Sequence, residues 1–352
     1  MKIAVLGDSH FGARNDSPIF NEHFKRFYDE VFFPYLEKNK IEYVIQLGDV
    51  FDRRKYVNFN TLKSVKTYFF DRLNYNYNSI VLVGNHDTFY KNTNNVNSLS
   101  LLLENYNNIT PIVYPETLVI DDIPILFVPW ICPDNEKMCF EAMQNTEAQI
   151  CVGHFEIQGF EMYKGTVIDH GLDKNIFNKF DLVLSGHYHH KSTKGNITYC
   201  GTPYEMTWSD YGDNKGFHIL DTETRELTFV HNPFNMFVKH HYDDLDKTME
   251  DVLLDDFSYY KNTIVKVIVR NKTNPFWFDT LIDKLEKAGA VDIQVVDDHF
   301  HSDIEDDSDI VNEAEDTLTI LNKYIHQMQI QTDKKKLEVL MRSLYNEALT
   351  NE

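Results

Sequence analysis

Residues 2–10 read KIAVLGDSH, a short apolar run closed by a glycine and an Asp-x-His pair, and this plan decides the fold. Four later segments repeat it: YVIQLGDVFD at 43–52, SIVLVGNHD at 79–87, QICVGH at 149–154 and DLVLSGHYH at 181–189. Each run has the length and the Val/Ile content of a buried strand. Apolar residues at helix spacing, such as Phe20, Phe24 and Phe27, separate the early runs. The alternation predicts an α/β architecture.

Two further segments make the predicted sheet mixed. Residues 117–130 and 216–231 each have the pattern of two strands joined by a turn, at Asp121-Asp122 and at 221–224. Hairpins add antiparallel strands to a sheet that is otherwise built from crossover units. We therefore predict one main domain over residues 1–240.

A smaller unit follows the main domain. Residues 263–270 alternate like a strand, Asn274-Pro275 suits a helix start, Gly289 suits its end, and residues 291–296 are again strand-like. This pattern predicts a compact α+β piece, and we assign an accessory domain to residues 241–298.

The last segment differs in composition. Residues 299–316 contain no Lys or Arg and are rich in Asp and Glu, which is typical of a solvated linker. Apolar residues at helix spacing then predict a two-helix hairpin over 317–352. Such a hairpin cannot bury both of its faces alone, so we expect it to dock on the main domain or on a partner.

Composition excludes several classes of protein. The 352 residues are 42% hydrophobic and 25% charged, as in ordinary globular chains. No apolar run approaches the ~18 residues of a membrane span, and no secretory signal is evident. The four cysteines form no C-x-x-C pair, so we expect buried, reduced thiols in a cytoplasmic protein. The net charge of −21 argues against nucleic-acid binding by bulk charge, although a local basic patch stays possible.

Polar residues at the five strand ends carry the chemistry. The carboxyl ends of strands in an open α/β sheet meet at one edge, so these residues should converge there. Burying so many ionisable groups without partners is costly, which favours a metal site. The mixture of Asp, Asn and His suits manganese, iron or zinc better than calcium. The candidate ligands are Asp8, His10, Asp49, Asn85, His154, His187 and His189.

Seven ligands exceed the needs of one ion. They fit two ions that share a bridging carboxylate, ~3.5–4 Å apart. A pair of this kind clamps the attacking and leaving oxygens of a phosphoryl displacement and lowers the pKa of bound water. The residues alone therefore predict phosphoester hydrolysis.

The motifs D-x-H, G-D-x-x-D, G-N-H-D, G-H and G-H-x-H, in this order, resemble the calcineurin-like metallophosphoesterase superfamily. Within it, the chain is similar to the SbcD-type DNA double-strand-break repair nucleases, called meiotic recombination eleven in eukaryotes and archaea. The final Gly186-His187-Tyr188-His189 and the segment Tyr199-Cys200-Gly201-Thr202-Pro203-Tyr204 favour this branch. The compact size resembles that of the recombination endonuclease subunits of T-even-like bacteriophages. The resemblance implies a mixed-sheet metallophosphoesterase sandwich with a small capping domain and a C-terminal helical hairpin.

The resemblance also implies a role for each candidate. Asp8, His10, Asp49 and His189 would hold one ion, with Asp49 bridging. Asn85, His154 and His187 would complete the second site. His86 would be a non-ligand catalytic histidine that gives a proton to the departing sugar oxygen or stabilises it. Manganese is the metal expected.

Position 52 departs from the pattern of many nucleases of this branch, which have His there. Asp52 follows the phosphatase pattern instead, in which this residue orients the catalytic histidine. We therefore expect the Asp52 carboxylate to bind His86 and raise its basicity. The basic run Arg53, Arg54 and Lys55 follows directly, and either contacts DNA phosphates or is an ordinary solvated loop.

The function implied by the resemblance is that of the nuclease component of a DNA repair complex. The expected activities are 3′-to-5′ exonuclease action on double strands and endonuclease action on single strands, in double-strand-break processing and recombination. The expected partners are DNA, an SbcC-like ATPase bound through the hairpin, and a second copy of the chain. One alternative is a phosphatase or cyclic-nucleotide phosphodiesterase on the same metals. Another is a non-catalytic scaffold that binds DNA ends.

Overall fold

The computed structural model describes residues 1–253 and 256–297, together with Leu337 and Met341. The predicted linker lies outside these residues, and so does the predicted hairpin apart from Leu337 and Met341. Both therefore stay predictions. Among the described residues, no helix has the length and apolar character needed to cross a bilayer.

Seventeen strands and nine α-helices make up the described part of the chain. The strands are β1 (Lys2–Leu6), β2 (Tyr43–Gln46), β3 (Asn78–Leu82), β4 (Ile109–Ile112), β5 (Glu116–Ile120), β6 (Ile123–Val128), β7 (Ile150–His154), β8 (Glu161–Tyr163), β9 (Thr166–Val167), β10 (Leu182–Gly186), β11 (Ser192–Lys194), β12 (Ile197–Tyr199), β13 (Gly216–Asp221), β14 (Leu227–His231), β15 (Phe237–Asp243), β16 (Ile264–Asn271) and β17 (Asp292–Asp297). The helices are α1 (Ala13–Asp16), α2 (Pro18–Phe27), α3 (Phe33–Asn39), α4 (Phe59–Val65), α5 (Asp71–Asn76), α6 (Ser98–Leu102), α7 (Glu136–Asn145), α8 (Met249–Leu253) and α9 (Pro275–Ala288).

Two six-stranded mixed sheets form the main body. The first has the order β14-β13-β1-β2-β3-β4, with β1 to β4 parallel and β13 antiparallel to β1. The second has the order β11-β12-β10-β7-β6-β5, with β12, β10, β7 and β6 parallel and both edge strands antiparallel. The two predicted hairpins are β5-β6 and β13-β14, so the mixed α/β fold predicted from sequence is confirmed.

Alternation along the strands explains how the layers stack. In β1, Ile3 and Val5 join the cluster that packs the two sheets together, while Ala4 and Leu6 face the helices. Successive strand side chains point to opposite faces, so a run that is apolar throughout buries both. Helices α2 to α6 cover the outer face of the first sheet, and α7 covers that of the second. All four cysteines lie in the described part, and all are buried and unpaired.

A separate three-stranded sheet lies beyond the main body, in the order β15-β16-β17 and all parallel. Helix α9 begins after Asn274, whose side chain accepts from two backbone N–H groups, and ends at Gly289 in the left-handed region, as predicted. The strand β15 was not predicted, because FVKHHYD has no clear alternation. It starts at Phe237 and ends at Asp243, so it spans the predicted boundary between the main and accessory domains at residue 240. That boundary stays a prediction.

Candidate metal centre

All five strand ends meet at one edge of the sandwich. Strands β1, β2 and β3 are parallel neighbours in the first sheet, and β7 and β10 are parallel neighbours in the second. Their carboxyl ends bring together every predicted ligand and both predicted catalytic residues. Among them only Asp52 and His189 are partly exposed, and the rest are buried.

The backbone at this edge is strained. His10, Asp49 and His187 have φ values of 42°, 49° and 85°, a region that residues other than glycine seldom adopt. Gly84 is required opposite Asp49, because a Cβ at position 84 would overlap the backbone nitrogen and Oδ1 of Asp49. Strain of this kind persists only where the surroundings enforce it, and it clusters at functional sites.

Asp49 lies at the centre of the group. Its Oδ1 accepts the backbone N–H of His86 at 2.7 Å, which fixes the carboxylate. Its Oδ2 lies 3.3 Å from His154 Nε2 and 3.8 Å from His10 Nε2. One oxygen atom therefore faces a histidine from each of two ligand groups.

The first group contains Asp8, His10 and His189. The Nε2 atoms of His10 and His189 face each other at 3.2 Å. Asp8 Oδ2 accepts the backbone N–H of His187 at 2.8 Å, while Asp8 Oδ1 is buried with no hydrogen-bond partner among the described residues. The potential ligand atoms of these three residues lie within 4.8 Å of one another.

The second group contains Asn85, His154 and His187 beside Asp49. Asn85 Oδ1 lies 2.9 Å from His154 Nε2 and 3.0 Å from His187 Nδ1. His154 Nδ1 lies 2.7 Å from the carbonyl oxygen of Leu47, so Nδ1 carries the hydrogen and donates it. His154 Nε2 then faces the oxygen atoms of Asn85 and Asp49, and either a proton or a cation can lie between them.

These contacts fit a bound cation. Lone pairs that face each other repel unless a proton or a cation lies between them, and this occurs in both groups. His187 Nε2 and His189 Nδ1 are also buried without a hydrogen-bond partner in the described part of the chain. A donor set of carboxylate, amide oxygen and imidazole is the one expected for a divalent transition metal.

The protonation states of two candidate ligands agree with this fit, whereas a cation would have to displace a proton from His154. Burial lowers the pKa of His187 and of His189 well below the usual range, so both imidazoles are neutral and free to hold a cation. Burial acts in the same direction on His154, but the carboxylates of Asp49 and Asp8 outweigh it and raise the pKa of His154 to about 9. Burial disfavours the charged form of Asp49, yet His154 and His86 hold the pKa of its carboxyl well below the usual range.

The structure corrects the predicted contact between Asp52 and His86. His86 Nδ1 lies 2.6 Å from the backbone carbonyl oxygen of Asp52, whereas the Asp52 carboxylate lies 3.4 Å from His10 Nδ1. Burial lowers the pKa of His86, against the predicted increase in its basicity. The prediction was wrong because the turn after β2 presents its carbonyl, and not its side chain, to His86.

Asp87 holds two strand ends together and lies behind the candidate ligands. Its carboxylate accepts from the backbone N–H groups of Val50, Phe51 and Gly84 at 3.1, 3.2 and 2.9 Å. These bonds tie the turn after β2 to the turn after β3 and so place Asp49 beside Asn85.

The basic run at 53–55 divides into three different environments. Arg53 forms an ion pair with Asp16 at 3.2 Å and donates to the Tyr56 hydroxyl at 2.6 Å. Arg54 is half-buried and its Nη1 has no hydrogen-bond partner among the described residues. Burial lowers the pKa of Arg54, and the carboxylates of Asp49 and Asp87 act in the opposite direction. Lys55 is exposed.

Two residues that contact the candidate ligands were not predicted from sequence. The Trp130 ring lies 5.2 Å from the His187 ring and 5.9 Å from the His154 ring. Trp130 follows β6, a parallel neighbour of β7, so its place at a sixth strand end was a signal that a search for titratable residues overlooks. Lys215 is buried, pairs with Asp210 at 2.7 Å and donates to the carbonyl oxygen of His189 at 2.9 Å.

Comparison with known proteins agrees with this geometry. A family model described as calcineurin-like phosphoesterase matches residues 1–191. The chain is 31% identical to exonuclease subunit 1 of Enterobacteria phage T4, over 99% of each chain. It is 26% identical to the SbcD component of the nuclease SbcCD of Staphylococcus epidermidis, over 56% of each chain. It is 24% identical to putative phosphoesterase 078R of Invertebrate iridescent virus 3, over 67% of this chain and 66% of the relative.

The resemblance drawn from the motifs is thus confirmed. The family model covers more than half of the chain, and the similarity to the phage protein extends over nearly all of it. Three sets of potential ligands at the strand ends agree with the divalent metals that this family uses. The chain therefore belongs to the calcineurin-like phosphoesterase family and is a metal-dependent phosphoesterase.

Proposed function

We propose that the chain is a two-metal DNA phosphodiester hydrolase, acting as a 3′-to-5′ exonuclease on double strands and as an endonuclease on single strands. The observation that carries the hydrolytic chemistry is the position of Asp49 Oδ2 between His154 and His10. The choice of DNA as substrate is supported by the relatives named exonuclease and nuclease, one of them similar over its full length.

The proposed ligand roles follow the two groups. Asp8, His10 and His189 would hold one ion, Asn85, His154 and His187 would hold the other, and Asp49 would serve both. Bound there, two divalent ions, which we propose to be manganese, supply Lewis-acid stabilisation of the phosphoryl group and lower the pKa of the attacking water. The protein contributes the strained turns that keep these side chains in place.

His86 provides the proton in this proposal. In the doubly protonated ring, Nδ1–H donates to the Asp52 carbonyl at 2.6 Å, and Nε2–H is the proton available to the departing sugar oxygen. Water attacks phosphorus and releases one proton to solvent, the bond from phosphorus to the sugar oxygen breaks, and that oxygen takes the Nε2 proton. The His86 ring then regains a proton from solvent. Burial lowers the pKa of His86, so its protonated ring is a stronger acid than free imidazolium. Asp52 positions the ring through its backbone and orients His10 through its carboxylate.

The DNA contacts that we propose centre on Arg54 and Lys55, because Arg53 already pairs with Asp16. Replacing Arg54 and Lys55 by Ala should weaken DNA binding and reduce the salt slope of its logarithm by roughly one unit per lost contact. Lys137, exposed on α7, provides a matched control. A slope that stays at the wild-type value would remove Arg54 and Lys55 from the interface.

The predicted domains complete the proposal. Residues 241–298 form the accessory domain, and the linker 299–316 carries the hairpin 317–352 to an SbcC-like ATPase. A second copy of the chain and a location in the cytoplasm, that of the host if the source is viral, belong to the same proposal. The relative named as a component of SbcCD supports the partner. Truncation after Asp316 should abolish ATPase binding and leave hydrolysis intact, whereas a destabilised main domain would contradict it.

The experiment that tests the function pairs two substrates. Purified chain with manganese is given an end-labelled duplex and, separately, bis(p-nitrophenyl) phosphate. Cleavage of both, with label released from the 3′ side, is the expected result. Cleavage of the aryl ester alone, even after the ATPase is added, would favour the phosphatase or cyclic-nucleotide phosphodiesterase alternative. Cleavage of neither, with metals bound, would favour the scaffold.

A further inference from the structure

A cavity of about 240 Å³ adjoins the second ligand group. Its walls come from the ends of β6 and β7, the start of α7 and the segment before residue 173. The lining residues include Trp130, Ile131, Leu172 and Phe155, together with the candidate ligand His154. A ligand in this cavity would therefore lie directly beside the candidate metal centre.

The aromatic wall of the cavity is preorganised. The Trp130 backbone N–H donates to the Val83 carbonyl at 2.8 Å. Its carbonyl oxygen accepts from the side-chain amides of Asn94 and Asn135 at 2.9 and 3.0 Å. These three bonds fix the backbone of Trp130, and its ring packs against the His154 and His187 rings. Stacking on this indole therefore requires no further ordering of the backbone that carries it.

The negative charges that line the cavity favour a ligand with hydrogen-bond donors and disfavour an anionic one. Its lining contains two carboxylates, those of Glu136 and Glu156, and no Lys or Arg. Glu156 Oε1 lies 3.2 Å from Nε2 of the exposed His170. Carboxylates repel phosphate, so the sugar–phosphate backbone does not belong here. They accept hydrogen bonds from amino groups, as they do from the N4 amino group of cytosine.

We propose that this cavity receives an unstacked nucleobase from a nucleotide that flanks the scissile phosphate. The inference rests on the proposed function, since it assumes a nucleotide substrate. The base stacks on Trp130, its apolar faces contact Ile131 and Leu172, and its amino or ring N–H groups face the carboxylates. Extruding a base is least costly from single strands and frayed ends. The cavity therefore contributes most on those substrates.

The first test uses the substrate rather than the protein. A set of oligonucleotides is compared with the intact strand. Each carries one tetrahydrofuran abasic site, placed at a different position flanking the cleaved bond. Stacking of a base on an aromatic side chain is worth a factor of roughly 5 to 150. We expect kcat/KM of the wild-type chain to fall by such a factor at one flanking position. Equal cleavage of abasic and intact strands would overturn the proposal.

The second test combines that substrate with a variant. Trp130→Ala should lower kcat/KM on the intact strand by the same factor and have no further effect on the abasic strand, whereas Trp130→Phe should retain most of the activity. Methyl p-nitrophenyl phosphate, which has no base, controls for damage to His154 and His187. An equal loss on that ester would show that Trp130 supports the ligands, and would contradict a base site.

A pair of small esters separates this proposal from the proposed function. Deoxycytidine 5′-(p-nitrophenyl phosphate) should be hydrolysed with a higher kcat/KM than the methyl ester, and Trp130→Ala should remove the excess. If DNA is not cleaved but the deoxycytidine ester still has a higher kcat/KM than the methyl ester, the DNA nuclease proposal fails and the base site stands. If DNA is cleaved but the two esters have equal kcat/KM values and the abasic strands are cleaved as fast as the intact strand, the base site fails and the nuclease stands.

Discussion

Replacing His86 by Ala distinguishes a proton donor from a metal ligand. Geometry alone permits either role, because the potential ligand atoms of His10, Asp49 and His86 lie within 4.8 Å of one another. The side-chain contact that is lost is the bond from His86 Nδ1 to the Asp52 carbonyl. The contact that orients Asp49 is donated by the backbone of residue 86 and survives the substitution. We therefore expect His86→Ala to bind both metals.

The size of the effect depends on the leaving group. A sugar oxygen leaves as a strong base and needs a proton, whereas p-nitrophenolate leaves without one. A positioned general acid is worth about 100- to 10,000-fold, or about 3–5 kcal/mol of activation free energy. We expect DNA hydrolysis by His86→Ala to fall by that factor and hydrolysis of bis(p-nitrophenyl) phosphate to fall less than about tenfold.

The assay measures three quantities on the same preparation: metal content, kcat on DNA and kcat on the aryl ester. His189→Ala serves as the control for a true ligand and should lose metal together with both activities. Loss of metal in His86→Ala, in proportion to activity, would refute the assignment of proton donor. Retained metal with equal losses on both substrates would show that His86 stabilises phosphoryl charge instead of giving a proton.

Three further predictions concern the framework of the site. Asp87→Ala leaves three buried backbone N–H groups without an acceptor. The free energy of unfolding, measured by urea titration, should therefore fall by about 3–5 kcal/mol. A fall of less than about 1 kcal/mol would contradict this account. Gly84→Ala places a Cβ against Asp49 and should abolish high-affinity metal binding in calorimetry, whereas wild-type affinity would show that the turn can move. Burial raises the pKa of Glu205 from 4.5 to about 7, so the folded state binds this proton more tightly and stability falls as pH rises through that window. Glu205→Gln should remove up to roughly 3 kcal/mol of that fall between pH 4.5 and 7, and parallel stability curves for the two proteins would refute it.

Much of the fold could be predicted from the sequence because the strands of the sandwich are buried on both faces. Runs such as that of β1 are apolar throughout and end at a glycine, so their existence and bounds were predicted closely. The strand β15 was missed since its buried residues, Phe237 and Tyr242, lie five positions apart and the four residues between them, one apolar and three polar, do not alternate. The short strands β8, β9 and β11 are held by their partners and leave no periodic pattern of their own.

The candidate site was predictable in its membership but not in its contacts. Asp8, Asn85 and His154 are set by their place after a strand, which sequence shows directly. The partner of His86 depends on whether the turn after β2 presents a carbonyl or a side chain, and only the backbone path decides this. Trp130 escaped notice because it offers no titratable group and acts through the shape of the wall it forms.

The origin of the ligands has a consequence for the stability of the whole sandwich. The candidate ligands Asp8 and Asp49 come from one sheet and His154 and His187 from the other, so the proposed ions would be held by both sheets together. An ion bound there is a removable cross-link between the two halves of the molecule. At a hundred times its dissociation constant, each such ion adds about 2.7 kcal/mol to the free energy of unfolding. The metal supply would then set the lifetime of the folded protein as well as its turnover.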